Sequence, residues 1–176
     1  LNDGKAIDLT FSKELRPIQL PIVDTYLECV DTGMGGGGII SVPCGYGKTV
    51  IGLYLASKLG LKTLVVVHKE FLVNQWKERI KQFLPNARIG KIQSNKIFVE
   101  GYDIVIGMLQ SISMKEYSED MFKDFGFVII FLILETVSFP PQIILKSHIF
   151  EIIEVTSELV SYLITKILSL ISLNSA

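Results

Sequence analysis

A lysine and a threonine close a glycine-rich turn in Ser41-Val-Pro-Cys-Gly-Tyr-Gly-Lys48-Thr49, a grouping suited to gripping phosphate. Gly45 and Gly47 let consecutive main-chain N–H groups converge on one point, where side chains would obstruct an anion. A helix opening near Lys48 adds the positive end of its dipole to the same point. Lys48 then offers a full charge to β- and γ-phosphates, and Thr49 a hydroxyl for the Mg²⁺ that bridges them. The amides from Gly45 through Tyr46 and Gly47 to Val50 complete the expected nucleotide-binding set. The full pattern G-x-x-x-x-G-K-[ST] is not met, because Val42 stands at the first glycine position. The competing reading is an ordinary strand-to-helix turn with a surface lysine.

The elements around this loop must hold it. Ile39–Val42 reads as a short buried strand entering the turn, and Lys48 to about Leu59 as the helix leaving it, with Gly60 as its stop. Upstream, Pro17 to Val30 has helical spacing, with Ile18, Ile22, Tyr26 and Cys29 recurring at three to four residues. Gly33 to Gly38 breaks the chain before the first strand. Thr63–His68 is a β-branched apolar run, expected as a central strand buried on both faces. Phe71 to Phe83 has helical spacing and ends before Pro85. Tyr102–Ile106 and Phe127–Ile130 read as further strands, with a helix expected over Met114–Lys123 between them. Strands alternating with such helical runs predict an α/β fold, a parallel β-sheet flanked by helices.

Composition bounds the rest. The 176 residues carry 17 Lys+Arg and 18 Asp+Glu, so no global basicity points to nucleic acid, and 49% hydrophobic residues argue against disorder. Cys29 and Cys44 make neither a disulfide framework nor a metal quartet, which suggests a reducing, intracellular setting. The longest purely apolar stretch, Phe127 to Leu134, is too short to span a bilayer, so no membrane association is expected. The first residue is Leu1 and the first methionine Met34, which suggests that the natural start is missing. Near residue 130 the character changes: residues 131–176 hold none of the 14 glycines, and 23 of them are Ile, Leu, Val or Phe. Locally, residues 69–96 contain seven basic and two acidic side chains, a concentration that phosphate binding rewards. A solvated helix face is the alternative.

Four passages in order carry a resemblance: Leu15-Arg-Pro-Ile-Gln19, the loop itself, Leu64-Val-Val-Val-His-Lys-Glu-Phe-Leu-Val-Asn-Gln-Trp76, and Tyr102-Asp-Ile-Val-Ile-Gly-Met-Leu-Gln-Ser111. Together they resemble the first motor lobe of superfamily 2 DNA helicases and translocases, closest to the XPB-like branch with its relatives in large DNA viruses. That resemblance implies a RecA-like P-loop lobe over residues 11–130, preceded by a remnant (1–10) and followed by an unassigned apolar tail (131–176). It implies ATP and Mg²⁺ as cofactors and DNA as the expected partner, RNA being possible. Gln19 would read the adenine edge, its amide able to donate and accept at once. His68 and Lys69, at a strand's C-terminal end, would touch nucleic-acid phosphates, as would Gln110 and Ser111. Nucleus or cytoplasm is the implied location, or a viral factory for a viral chain. Trp76 is expected in the core rather than on a base.

The resemblance then fails. The family places Asp-Glu-x-His after the strand at Phe127, for the Mg²⁺ shell and for polarising the attacking water. Here Phe131-Leu-Ile-Leu134 follows, and Glu135 is displaced. A second lobe has no counterpart. Residues 131–176 could be a chance translation after loss of frame or splicing, part of a degenerate relic, or a genuine fused element; Ile149, Ile152, Ile153, Leu159 and Leu163 have partly helical spacing. The expectation is a nucleotide-binding half of a helicase, weak or inactive alone, the alternative being a non-catalytic nucleotide- or nucleic-acid-binding relic or adaptor. A small-molecule kinase is disfavoured by the absence of a substrate lid.

Overall fold

The computed structural model describes residues 4–31, 38–43, 45–115, 117–131 and 149–152. Leu20–Asp31 forms α1, and Pro21 sits in its first turn, where a missing N–H costs nothing. Gly38–Ile39 (β1) is shorter than the strand expected, and α2 (Lys48–Leu59) matches expectation at both ends. Gly60 caps α2 in the left-handed region, φ 61°, its N–H donating to the Ala56 carbonyl at 3.1 Å. Thr63–Val67 (β2) leads to α3 (Glu70–Phe83).

Two strands follow that the sequence did not reveal, Ile89–Gln93 (β3) and, at the sheet's edge, Lys96–Phe98 (β4), joined through Ser94 and Asn95. β5 (Ile104–Met108) runs straight into α4 (Leu109–Met114). The helix expected over Met114–Lys123 is not formed. α4 ends where that span begins, and only a 3₁₀ turn, Glu119–Met121, follows. Lys115, the C-cap of α4, is extended (φ −115°, ψ 150°), which ends the helix there, and Phe122 and Phe125 insert into the core from the irregular stretch beyond it.

β6 (Phe127–Phe131) and β7 (Ile149–Ile152) complete a seven-stranded sheet, ordered β1-β7-β6-β2-β5-β3-β4, parallel throughout except for the β3–β4 pair. Residues 149–152, read by spacing as partly helical, are therefore strand. Short apolar runs do not distinguish the two by period, and the slot between β6 and β1 decides. β1 pairs with β7 and with no other strand among the described residues. The remaining tail positions, Glu135 among them, lie outside the described residues, as do the glycines before Gly38 and Cys44.

Both faces of the sheet are covered, as its unbroken apolar strands require. Val65, Val67, Phe127, Ile129 and Phe131 face α1, α2 and α3; Leu64, Val66, Val128 and Ile130 face α4 and the Phe122–Phe125 stretch. Trp76 is fully buried, its ring meeting Phe131 edge-on at 5.5 Å, so the core assignment stands. α1 turns differently from expectation: Val23 and Tyr26 are buried, while Ile18 and Cys29 are exposed. Among the described residues no helix is long and apolar enough to cross a membrane.

Candidate nucleotide and nucleic-acid site

Because β1, β7, β6, β2 and β5 run parallel, the segments leaving β1, β2 and β5 emerge on one rim. Open α/β sheets bind ligands at that carboxyl rim. The phosphate loop follows β1, His68 and Lys69 follow β2, and Gln110 and Ser111 follow β5. The fold thus gathers all the predicted groups except Gln19, which arrives from the turn before α1.

Gly45 (φ 86°) and Gly47 (φ 80°) both lie in the left-handed region that L side chains rarely adopt. Nothing lies within 4 Å of where a Gly45 side chain would begin. At Gly47 a Cβ would come 2.5 Å from Gln19 Nε2. Gly47 is the N-cap of α2 and supplies no side-chain cap; the first turn holds no acid, and the first helical bond runs from Ile51 N–H to the Gly47 carbonyl at 3.0 Å. The amides of Lys48, Thr49 and Val50 belong to that open first turn, so the main chain presents donors and a positive dipole end with no built-in anion. Lys48, Thr49 and Tyr46 are half-buried. This donor set fits a polyphosphate, and Lys48 and Thr49 are the residues that would serve its charge and its Mg²⁺. Among the described residues no three His, Cys, Asp or Glu side chains gather in a way that could hold a metal ion.

Gln19 is only 2% exposed. Its Oε1 accepts from the Arg16 N–H at 2.9 Å and its Nε2 donates to the Tyr46 carbonyl at 2.8 Å. Arg16 Nη2 donates to the Gly45 carbonyl at 2.8 Å. The expected base-reading amide is thus engaged with the loop.

On the nucleic-acid side, Gln110 Nε2 donates to the His68 carbonyl at 3.0 Å. Ser111 Oγ accepts from the Ser94 N–H at 2.9 Å, and Lys115 Nζ donates to the Ser94 carbonyl at 2.6 Å and to Asn95 Oδ1 at 2.8 Å. Gln93 Nε2 reaches Glu70 Oε1 at 3.0 Å. The β3–β4 tip, missed in the sequence, is therefore tied to both motifs; the Ser-Asn pair between apolar runs was its one signal. Burial pushes the His68 imidazole below its usual range, against a bond with the Phe131 main chain that raises it, while Lys69 lowers it further. The neutral imidazole is therefore the favoured form at pH 7.

The basic run splits. Arg88 stands before β3, at the opposite end of the sheet, and holds Asp103 through Nη2 at 2.6 Å, Nε at 3.0 Å and its own N–H at 2.8 Å. Arg79 Nη1 is turned to Gln82 Oε1 at 2.8 Å. Lys69 and Lys96 remain at the carboxyl rim.

Residues 12–131 match the family described as type III restriction enzyme, res subunit. The chain is 40% identical over 123 residues to a candidate ATP-dependent RNA helicase of Acanthamoeba polyphaga mimivirus, covering 70% of this chain and 23% of that protein. It is 31% identical over 133 residues to a candidate helicase of Invertebrate iridescent virus 6, covering 73% and 30%. With the DNA 3'-5' helicase XPB of Mycobacterium tuberculosis it shares 27% identity over 138 residues, covering 72% and 24%. The chain thus spans under a third of the length of each. In fold it is similar to the Sulfolobus solfataricus SWI2/SNF2 ATPase core domain, with a TM-score of 0.61 and 16% identity over 96% of this chain and 38% of the other. The same core in complex with dsDNA gives a TM-score of 0.56 and 19% identity over 69% and 26%.

Proposed function

Since the chain belongs to the type III restriction enzyme res-subunit family, as a superfamily 2 helicase first lobe, we propose that it is the ATP-binding part of an ATP-dependent DNA helicase or translocase. The observation that carries this is the uncapped, acid-free start of α2 behind two left-handed glycines, on the same rim as the His68–Lys69 and Gln110–Ser111 segments. In this reading the amides from Gly45 to Val50 and the Lys48 ammonium grip the triphosphate. Thr49 shares in holding Mg²⁺, which neutralises charge developing on the phosphates. His68, Lys69, Gln110 and Ser111 hold a nucleic-acid backbone without reading bases. DNA is the expected partner, RNA the alternative, in an intracellular setting. Turnover needs a second lobe across the ATP and an acid for the attacking water, and β6 ends at Phe131 with Leu-Ile-Leu134 following.

Titration with Mg·ATP in a calorimeter tests the reading. We expect weak, Lys48-dependent binding and little DNA-stimulated hydrolysis; a wild-type chain no better than Lys48→Ala at millimolar nucleotide would refute it. The apolar Leu-Ile-Leu134 immediately after β6, where an acid is expected, favours one second reading, a nucleic-acid adaptor that retains the fold. It requires DNA affinity that falls with salt and ignores ATP.

A further inference from the structure

A nest of inward-pointing amides turns the intervening carbonyls outward, and those oxygens need donors of their own. In this chain two consecutive loop carbonyls find them on one turn. Gly45 C=O accepts from the Arg16 guanidinium and Tyr46 C=O from the Gln19 amide, each at 2.8 Å. The turn is itself closed twice. Gln19 N–H donates to the Arg16 carbonyl at 2.8 Å, and Arg16 N–H donates to Gln19 Oε1 at 2.9 Å. Pro17, between them, fixes φ at the position where such turns favour proline. Gln19 also begins α1, its carbonyl accepting from Val23 N–H at 3.2 Å. The two donors are therefore held before any ligand arrives. Gly47 is the matching concession on the loop, since a Cβ there would sit 2.5 Å from Gln19 Nε2 and 3.1 Å from Arg16 Nη2.

We propose that the Arg16–Gln19 turn is a clamp on the outward carbonyls of the phosphate loop, so that these two positioning residues set affinity for the triphosphate whatever base it carries. This rests on the phosphate-binding reading above. It differs from the base-reading role that the resemblance implies for Gln19, because both ends of that buried amide are already engaged. Loss of one charge-assisted bond corresponds to roughly a tenfold change in affinity.

The test compares two ligands on the full 176-residue chain by calorimetry, Mg·ATP and base-free inorganic tripolyphosphate with Mg²⁺. Arg16→Ala and Gln19→Ala should each weaken both ligands by the same factor, roughly tenfold, and Arg16→Lys should recover part of the loss. Arg16 is exposed, so its alanine variant should keep the wild-type unfolding midpoint, which guards against a misfolded Gln19→Ala. Loss of ATP affinity with tripolyphosphate unchanged would overturn the clamp in favour of base reading. Unchanged affinity for both in Arg16→Ala and Gln19→Ala, while Lys48→Ala loses both, would overturn the clamp and leave the site intact. Tripolyphosphate binding indifferent to Lys48→Ala would bring down the site, and the clamp with it.

Discussion

Gln110 reaches across from α4 to the main-chain carbonyl of His68, 3.0 Å away, and so joins two segments forty-two residues apart in the chain. In the proposed function this would hold the phosphate-binding groups of the two segments at one spacing, as a repeating phosphate backbone needs. Gln110→Ala removes the tie but no charge. Its affinity for a single-stranded oligonucleotide should drop several-fold with the salt slope unchanged. Lys69→Ala should instead flatten that slope by about one. Fluorescence anisotropy across a salt series separates them; a slope change in Gln110→Ala would contradict the assignment.

Acid should loosen the fold through His68. Burial depresses its folded pKa below 6.5, so the unfolded chain takes up the proton first as pH falls. The stability it contributes is complete above that value and is lost as pH drops below it toward the folded pKa. Urea midpoints measured from pH 7.5 to 5 should fall more steeply for wild type than for His68→Gln. Parallel curves would show that the imidazole is not the group responsible.

Lys62 is 2% exposed at the far end of the sheet, its ammonium 4.9 Å from the Phe125 ring centroid and 3.8 Å from Asp124. Burial pushes its pKa down and outweighs the opposing pull of Asp124. A buried, loosely paired charge contributes little, so Lys62→Met should be neutral or stabilising by up to about 1 kcal/mol in equilibrium urea unfolding. A loss above roughly 2 kcal/mol would mean that the ion pair matters more than its desolvation.

Trp76 fills the space between α2 and β6, and its indole Nε1 has no hydrogen-bond partner among the described residues. Trp76→Ala should cost about 3–5 kcal/mol. Trp76→Phe gives up volume but also removes an unsatisfied donor, and should cost well under half as much. A loss in Trp76→Phe as large as that in Trp76→Ala, by chemical denaturation, would contradict this.

Removing residues 132–176 should do more than trim a tail. β6 would lose its β7 neighbour and become an exposed apolar edge, and β1, which carries the phosphate loop, would lose the strand that joins it to the sheet. Light scattering should show aggregation of a chain ending at Phe131, and a monodisperse, ATP-binding truncation would sink this view.

The sequence determined what depends on near neighbours. Gly45 and Gly47 before Lys48, the α2 stop at Gly60 and the apolar runs of β2 and β6 follow from backbone freedom and local hydrophobic pattern, so they were readable in advance. Tertiary structure decided what depends on distant partners. The β3–β4 hairpin rests on Ser111 and Lys115, residues 149–152 become strand by filling a gap, Arg88 is drawn to Asp103 at the far end of the sheet, and the Gln19 amide is committed to the Tyr46 carbonyl. A hydrogen-bonding side chain advertises its capacity in sequence, but which acceptor it meets is settled only when the chain has packed.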